Sequence, residues 1–294
     1  MSATETAPAP AFEEVVVTTR RDVTAPVRVY EPAEVDAAGA DAATVMALHG
    51  AGGWLGDEPV LAGLAAAGLR VVAPVWPAWS EHTDEDRLSD MLDFALHGWD
   101  VATEMGLLDT GGPSNGATGG GLHLMGHSMG GMIAAEMAAL APQSVARMAL
   151  LCPAGMWLGD HPIPDIFAML PYQLAEVLFA DPNVGEEVLT GGADFSDNAT
   201  LTRFMVARAR QQGMAGKILF PIPNRRFSER AYRVTVPTLL VWGRQDRLIP
   251  PAYADAWQAA LPDATVELVD GAGHMLPYEQ SEAVVAAVTS HLHG

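Results

Sequence analysis

The sequence predicts an α/β protein: a mostly parallel central sheet flanked by helices, with an all-helical insertion ahead of the last strands. Three observations predict it. Apolar strand-like runs alternate with helix-period segments from Thr44 to Cys152, the pattern then turns to helices alone, and strand-like runs resume at Val236. Parallel neighbours need a crossover element between them, and the alternation supplies one at each step.

Met1–Glu14 is rich in Ala, Pro, Thr and Glu, without a basic start or an apolar run, so residues 1–14 read as a disordered tail and not as a signal peptide. Phe12–Thr19 and Val27–Glu31 alternate around Arg20-Arg21-Asp22, as an edge hairpin does. Strand patterns follow at Val45–Leu48, Val71–Val75, Leu122–Met125 and Met148–Cys152. Helix patterns separate them at Val60–Ala67, Leu88–Glu104 and Met129–Leu140. Asp109–Gly121 reads as a flexible glycine-rich loop remote from the chemistry. Beyond Pro153-Ala154-Gly155 the helical segments are Ile166–Phe179, Glu186–Leu189 and Ala199–Ala215, interrupted by prolines. The expected division is a core of residues 15–154 and 233–294 with a helical cap of 155–232. Such a cap lies over the strand ends, where open α/β sheets bind ligands. Its Met156, Trp157, Phe167, Met169, Phe179, Phe204, Met205 and Met214 read mainly as the cap's own core, with a share left to line an apolar pocket.

Chemistry enters at Gly126-His127-Ser128-Met129-Gly130-Gly131, between a short apolar strand and a helix. A serine at a sharp strand-to-helix turn needs small residues two positions away on each side, which Gly126 and Gly130 provide. The pattern alone is weak: with 29 glycines it arises by chance in about one such chain in ten. The rest of the constellation makes it specific. A serine hydroxyl needs a base, and the base needs an acid to orient it. Thr238–Trp242 is an apolar run ending in a turn that presents Asp246, and Thr265–Val269 ends in a glycine-rich loop that presents His274. Both stand at strand ends, in the order serine, acid, histidine. Asp270 is the nearest rival acid and reads as a turn cap, while His291 and His293 fall in a frayed tail.

A fourth piece is the strand Thr44–Leu48 followed by His49-Gly50-Ala51-Gly52-Gly53-Trp54. Glycines there let backbone N–H groups approach a substrate, so the N–H groups of Ala51 and Met129 are the expected oxyanion donors. His49, Gly50, Gly52, Gly126, His127 and Gly130 are the expected supporting residues of these loops. A phosphate cradle is excluded, since neither G-x-x-x-x-G-K-[ST] nor G-x-G-x-x-G opening a helix occurs.

On these four ordered motifs, spread over about residues 44 to 280, the chain resembles α/β-hydrolase fold proteins: single-domain esterases, lipases, perhydrolases and carbon–carbon bond hydrolases. The resemblance implies Ser128 as nucleophile, Asp246 as acid and His274 as base, with no cofactor and no metal. A serine at 128 also implies that this is not a dehalogenase or epoxide hydrolase, whose nucleophile in this fold is aspartate. One segment departs from the pattern. Where many relatives carry Asp-x-Arg-Gly-x-Gly-x-Ser, this chain has Pro74-Val75-Trp76-Pro77-Ala78-Trp79-Ser80.

The net charge of −20 excludes nucleic acid and anionic membranes as partners, because a polyanion is repelled. No apolar run approaches a membrane span. The single cysteine, Cys152, excludes an internal disulfide and reads as a core residue, and a cytoplasmic location follows. The cap segment is less acidic than the rest, with Arg203, Arg208, Arg210, Arg225, Arg226 and Arg230; these read as a solvated face, or one of them meets a substrate carboxylate. The expected function is hydrolysis of a carboxylic ester of a small, largely apolar substrate through an acyl-enzyme. Carbon–carbon bond hydrolysis by the same triad is the alternative within the fold. A ligand-binding receptor on a hydrolase scaffold is the alternative outside enzymes.

Overall fold

The computed structural model describes residues 12–32, 42–56, 58–82, 84–108, 121–169, 171–221 and 227–294. Its centre is an eight-stranded sheet in the order β1-β2-β4-β3-β5-β6-β7-β8. The strands are β1 (Glu13–Thr18), β2 (Thr24–Tyr30), β3 (Thr44–Leu48), β4 (Arg70–Pro74), β5 (Leu122–His127), β6 (Val145–Leu151), β7 (Thr238–Gly243) and β8 (Ala264–Val269). The pairs β1·β2 and β2·β4 are antiparallel, and every other pair is parallel. The expected edge hairpin is thus β1 and β2. It begins at Glu13, inside the stretch expected as a tail. Residues 1–11 of that stretch, the Asp109–Gly121 loop up to Gly120, and Arg225 and Arg226 lie outside the described residues.

Helices α1 (Pro59–Ala66), α2 (Met91–Glu104) and α3 (Met129–Leu140) cross between the first strands. α1 opens with proline at its first position, where a missing N–H costs nothing. α2 starts at Met91 and not at Leu88, because the Asp90 carboxylate accepts the Asp93 N–H and caps the helix there. Between β6 and β7 lie α4 (Pro171–Leu178), α5 (Pro182–Thr190) and α6 (Asn198–Leu219). α5 has Asp181 as its cap, Pro182 next and Gly191 at φ 62° to end it, while Asp197 caps α6 by accepting from Ala199 and Thr200. The helix expected from Ile166 begins only at Pro171; Ile166 to Met169 turn instead. After β7 come α7 (Ala252–Ala260), α8 (Leu276–Glu279) and α9 (Ser281–His293). The C-terminus is therefore helix and not frayed tail, held at its end by buried Leu292 and a 3.3 Å contact from the His291 ring to the Pro237 carbonyl.

The inner parallel strands β3, β5 and β7 are buried on both faces, as helices on each side require. Trp76, Trp242, Trp257, Phe94 and Phe227 are fully buried, and Phe227 stacks on Trp257 at 4.8 Å between ring centres. Burying one such ring contributes a few kcal/mol. The segment before β7 is tied down by a part-buried ion pair: Arg230 Nε donates to the buried Glu136 carboxylate of α3 at 2.9 Å.

Topology then decides what meets what. In parallel strands all carboxyl ends lie along one edge. β3 is beside β5 and β7 is beside β8, so the loop after β3 faces Ser128 and the loops carrying Asp246 and His274 are neighbours. The β6–β7 insertion packs on that same edge. Arg247 donates to the carbonyls of Phe179 and Ala180, Met275 N–H donates to the Leu178 carbonyl at 3.0 Å, and Ala180 N–H reaches Glu279 at 2.7 Å.

Candidate active site

Ser128 stands at φ 54° and ψ −116°, a conformation L-residues rarely adopt, immediately before α3. The turn closes because its flanks lack side chains. A Cβ on Gly126 would collide with the Gly130 carbonyl, and one on Gly130 with the Leu48 carbonyl. Ser128 N–H donates to Leu151 at 2.9 Å and its carbonyl accepts from Met132 and Ala154, which clamps the strained turn between β6 and α3.

The three expected side chains meet. Ser128 Oγ lies 2.8 Å from His274 Nε2, and His274 Nδ1 lies 2.8 Å from Asp246 Oδ2. The other carboxylate oxygen, Oδ1, accepts the N–H groups of Leu248 at 2.9 Å and Ile249 at 2.8 Å. Asp246 and His274 are buried, so this chain is shielded from competing water. Asp270, the rival for that place, is 83 % exposed and pairs with Arg244.

The N–H groups of Ala51 and Met129 donate to no group among the described residues; Ala51 lines a cavity together with Ser128, and Met129 follows Ser128 in the chain. Met129 opens α3, whose dipole adds positive potential at this point. Several groups hold the Ala51 loop. The Trp79 indole donates to the Ala51 carbonyl at 3.0 Å, Gly53 N–H to Gly50 at 3.1 Å, and the Trp54 indole to Pro74 at 3.1 Å. Behind them His49 is completely buried. It accepts the Trp76 N–H on Nε2 and so carries its proton on Nδ1, facing the Gly50 carbonyl at 2.8 Å. Leu55 N–H donates to Tyr278, whose hydroxyl donates to Glu58 at 2.7 Å. Burial, reinforced by Glu58, pushes the Tyr278 phenol well above its ordinary value.

Trp76, Trp79, Tyr278 and Glu58 were not legible as site residues. The Pro74–Ser80 segment is the place where the chain departs from the common pattern, and it does the holding through the Trp79 indole, the Trp76 backbone N–H and the Pro74 carbonyl. Only the hydrogen bonds show it.

His127 holds His274 directly: its Nε2 donates to the His274 carbonyl at 2.8 Å. Burial pushes His49 and His127 down to about 3, so both are neutral in the fold. The unfolded chain binds protons on these rings near the ordinary value of 6.5 and the folded chain does not. Stability is therefore full above about 6.5 and falls as pH drops toward about 3, by roughly 1.4 kcal/mol per pH unit for each ring. Thermal unfolding followed at pH 7.5 and pH 5 should give the lower Tm at pH 5; equal values would refute neutral burial.

Cys152 is buried at φ 42°, and its Sγ lies within 4.8 Å of ligand atoms on Asp246 and His274. These three could geometrically surround a metal. Their chemistry fits one poorly: burial pushes the thiol well above its ordinary value, and both Asp246 oxygens already accept hydrogen bonds. Cys152 thus sits in the core, as expected.

Two cavities meet at Ser128 and Ala51. The larger, about 100 Å³, includes Trp54, Phe167, Arg208 and His274 in its wall; the smaller, about 40 Å³, is walled by Met132, Met156, Ile163 and Leu219. Of the apolar residues expected to serve the insertion, Phe167 and Met156 reach a cavity. Phe179 and Met214 are buried, Phe204 packs on Phe195, and Met205 is exposed. Among the described residues no helix is long and apolar enough to cross a membrane.

The model of the alpha/beta hydrolase family matches residues 45–288, and the chain belongs to that family. It is 35% identical over 182 residues to the dihydrolipoyllysine-residue acetyltransferase component of the acetoin cleaving system of Cupriavidus necator; the match covers 58% of this chain and 46% of that one, so this chain spans under half of that relative's length. It is 27% identical over 274 residues to a 2-hydroxy-6-oxononadienedioate/2-hydroxy-6-oxononatrienedioate hydrolase of Cupriavidus pinatubonensis, covering 86% of this chain and 88% of the relative. Among solved structures, a membrane phospholipase A described as a bacterial virulence factor superposes with a TM-score of 0.72 at 19% identity, over 97% of this chain and 87% of that one. That likeness is one of fold.

Proposed function

We propose that this protein is a serine hydrolase that cleaves a carboxylic ester of a small, largely apolar substrate through an acyl-enzyme. The observation that carries the reading is the relay from Asp246 through His274 to Ser128. In the first step His274 takes the Ser128 proton as Oγ attacks the carbonyl carbon. The oxyanion accepts hydrogen bonds from Met129 and Ala51, each contributing about 3 kcal/mol. The imidazolium, steadied by Asp246, then protonates the leaving alcohol. A water deprotonated by His274 releases the acid and restores the serine. The β6–β7 insertion acts as a cap that keeps bulk water from this sequence. No metal and no cofactor takes part.

Cavities of about 100 and 40 Å³ hold of the order of ten water-sized groups together. A p-nitrophenyl ester series should therefore show the highest kcat/KM at short acyl chains, of about two to six carbons. An optimum at long chains would overturn the substrate size.

The relative from Cupriavidus pinatubonensis, aligned over most of both chains, favours a second reading: hydrolysis of a carbon–carbon bond by the same triad. Labelling of Ser128 by a fluorophosphonate without turnover of any ester would bring that reading forward. A stable ligand complex with neither labelling nor turnover would instead point to a receptor.

A further inference from the structure

Helix α6 carries Arg203, Arg208, Arg210 and Lys217 and no acidic residue, in a chain of net charge −20. Its arginines are placed differently. Arg203 is exposed and donates to Thr200 Oγ1 at 3.0 Å. Arg210 forks onto the Glu85 carboxylate at 3.1 and 3.0 Å and also reaches the His82 carbonyl. Arg208 is half-buried in the wall of the larger cavity, the one that contains Ser128, and makes no hydrogen bond or ion pair among the described residues. Burial alone pulls its pKa below the ordinary value. A guanidinium partly withdrawn from water and left unpaired carries a cost, which an entering anion offsets.

Its surroundings define which anion. Gln211 and Gln212, three and four residues on, share its face of α6 and line the same cavity with amide donors. Glu58, the acidic residue among those lining the cavity, is engaged by the Tyr278 hydroxyl. A planar fork of N–H donors matches a carboxylate in two parallel hydrogen bonds, and a cavity of about 100 Å³ suits a small acid.

We propose that Arg208, with Gln211 and Gln212, forms a carboxylate subsite, so that the preferred substrate carries a free carboxylate as well as the bond that is cut. The assignment rests on Ser128 being the nucleophile of the same cavity.

Two esters of equal length test it: p-nitrophenyl valerate, which is neutral, and the mono-p-nitrophenyl ester of glutarate, which is anionic. Wild type should favour the glutarate ester in kcat/KM by roughly tenfold or more, and Arg208→Met should lower that ratio by roughly 10- to 100-fold. Arg208→Gln serves if the methionine variant folds poorly, and Arg203→Met, which removes the same charge from the exposed face, should keep the ratio. An unchanged ratio in the Arg208 variants, with both esters turned over, overturns the subsite and leaves the esterase reading standing. If neither ester is turned over, glutarate should still slow labelling of Ser128 by a neutral fluorophosphonate in wild type and not in Arg208→Met. That result keeps the subsite and discards the ester; labelling that glutarate never slows discards the subsite.

Discussion

Ser128→Ala is expected to lower ester turnover by about 10⁴-fold or more while leaving the protein folded. The first half follows from the relay. His274 Nε2 has its 2.8 Å contact to the serine hydroxyl, and without that oxygen the base has no proton to take and no covalent intermediate forms. On the proposed oxyanion role, the N–H groups of Met129 and Ala51 survive the substitution and leave a residual rate. The second half follows from the turn. Ser128 makes no capping hydrogen bond to α3, and its backbone is held by Leu151, Met132 and Ala154. Alanine accepts φ 54° no worse than serine does, so the loss is one side-chain hydrogen bond, about 1 kcal/mol. Stopped-flow release of p-nitrophenol with a circular dichroism melt measures both. Turnover within tenfold of wild type would remove Ser128 from the mechanism.

Asp246→Asn is expected to cost about 10³- to 10⁴-fold in kcat, and the local hydrogen bonds say why. Oδ1 is held by two N–H donors, Leu248 at 2.9 Å and Ile249 at 2.8 Å. In the variant only the amide oxygen can occupy that place, which turns the NH₂ toward His274 Nδ1. The ring then accepts on Nδ1 and carries its proton on Nε2, facing Ser128 Oγ. A base protonated on that side cannot take the hydroxyl proton. The geometry survives and the tautomer is wrong. Raising the pH should not restore the rate by titrating the asparagine, which has no proton to lose near neutrality. A variant as active as wild type across pH 6 to 9 would show that Asp246 does not set the tautomer.

The meeting of Ser128, Asp246 and His274 was legible because each stands at the end of an apolar run closed by glycine: Gly126 before Ser128, Gly243 before Asp246, Gly273 before His274. Strand period, turn residues and chain order are local properties, and the parallel sheet converts that order into adjacency. The Ala51 loop was legible for the same reason, by its place after β3. The supports were not. Trp79 meets Ala51, Tyr278 meets Glu58 and Arg247 meets Phe179 across long sequence separations, and each residue by itself reads as ordinary core or surface. The C-terminal helix was missed although Val284, Ala287, Val288 and Leu292 recur at helical spacing and form its buried face.

The arginines draw the line most sharply. By itself the sequence determined that a basic run lies in the helical insertion of an acidic protein, and that a serine, an acid and a histidine follow one another at strand ends. It could not say that Arg210 is answered by Glu85, that Arg230 is answered by Glu136, or that Arg208 faces the Ser128 cavity without an answer among the described residues. Whether a charge is paired depends on what stands within a few ångströms of it, and in this fold those neighbours come from β4–α2 connections and α3, nearly a hundred or more residues away along the chain. The order of chemical groups is written in one dimension; their pairing is settled only when the chain closes on itself.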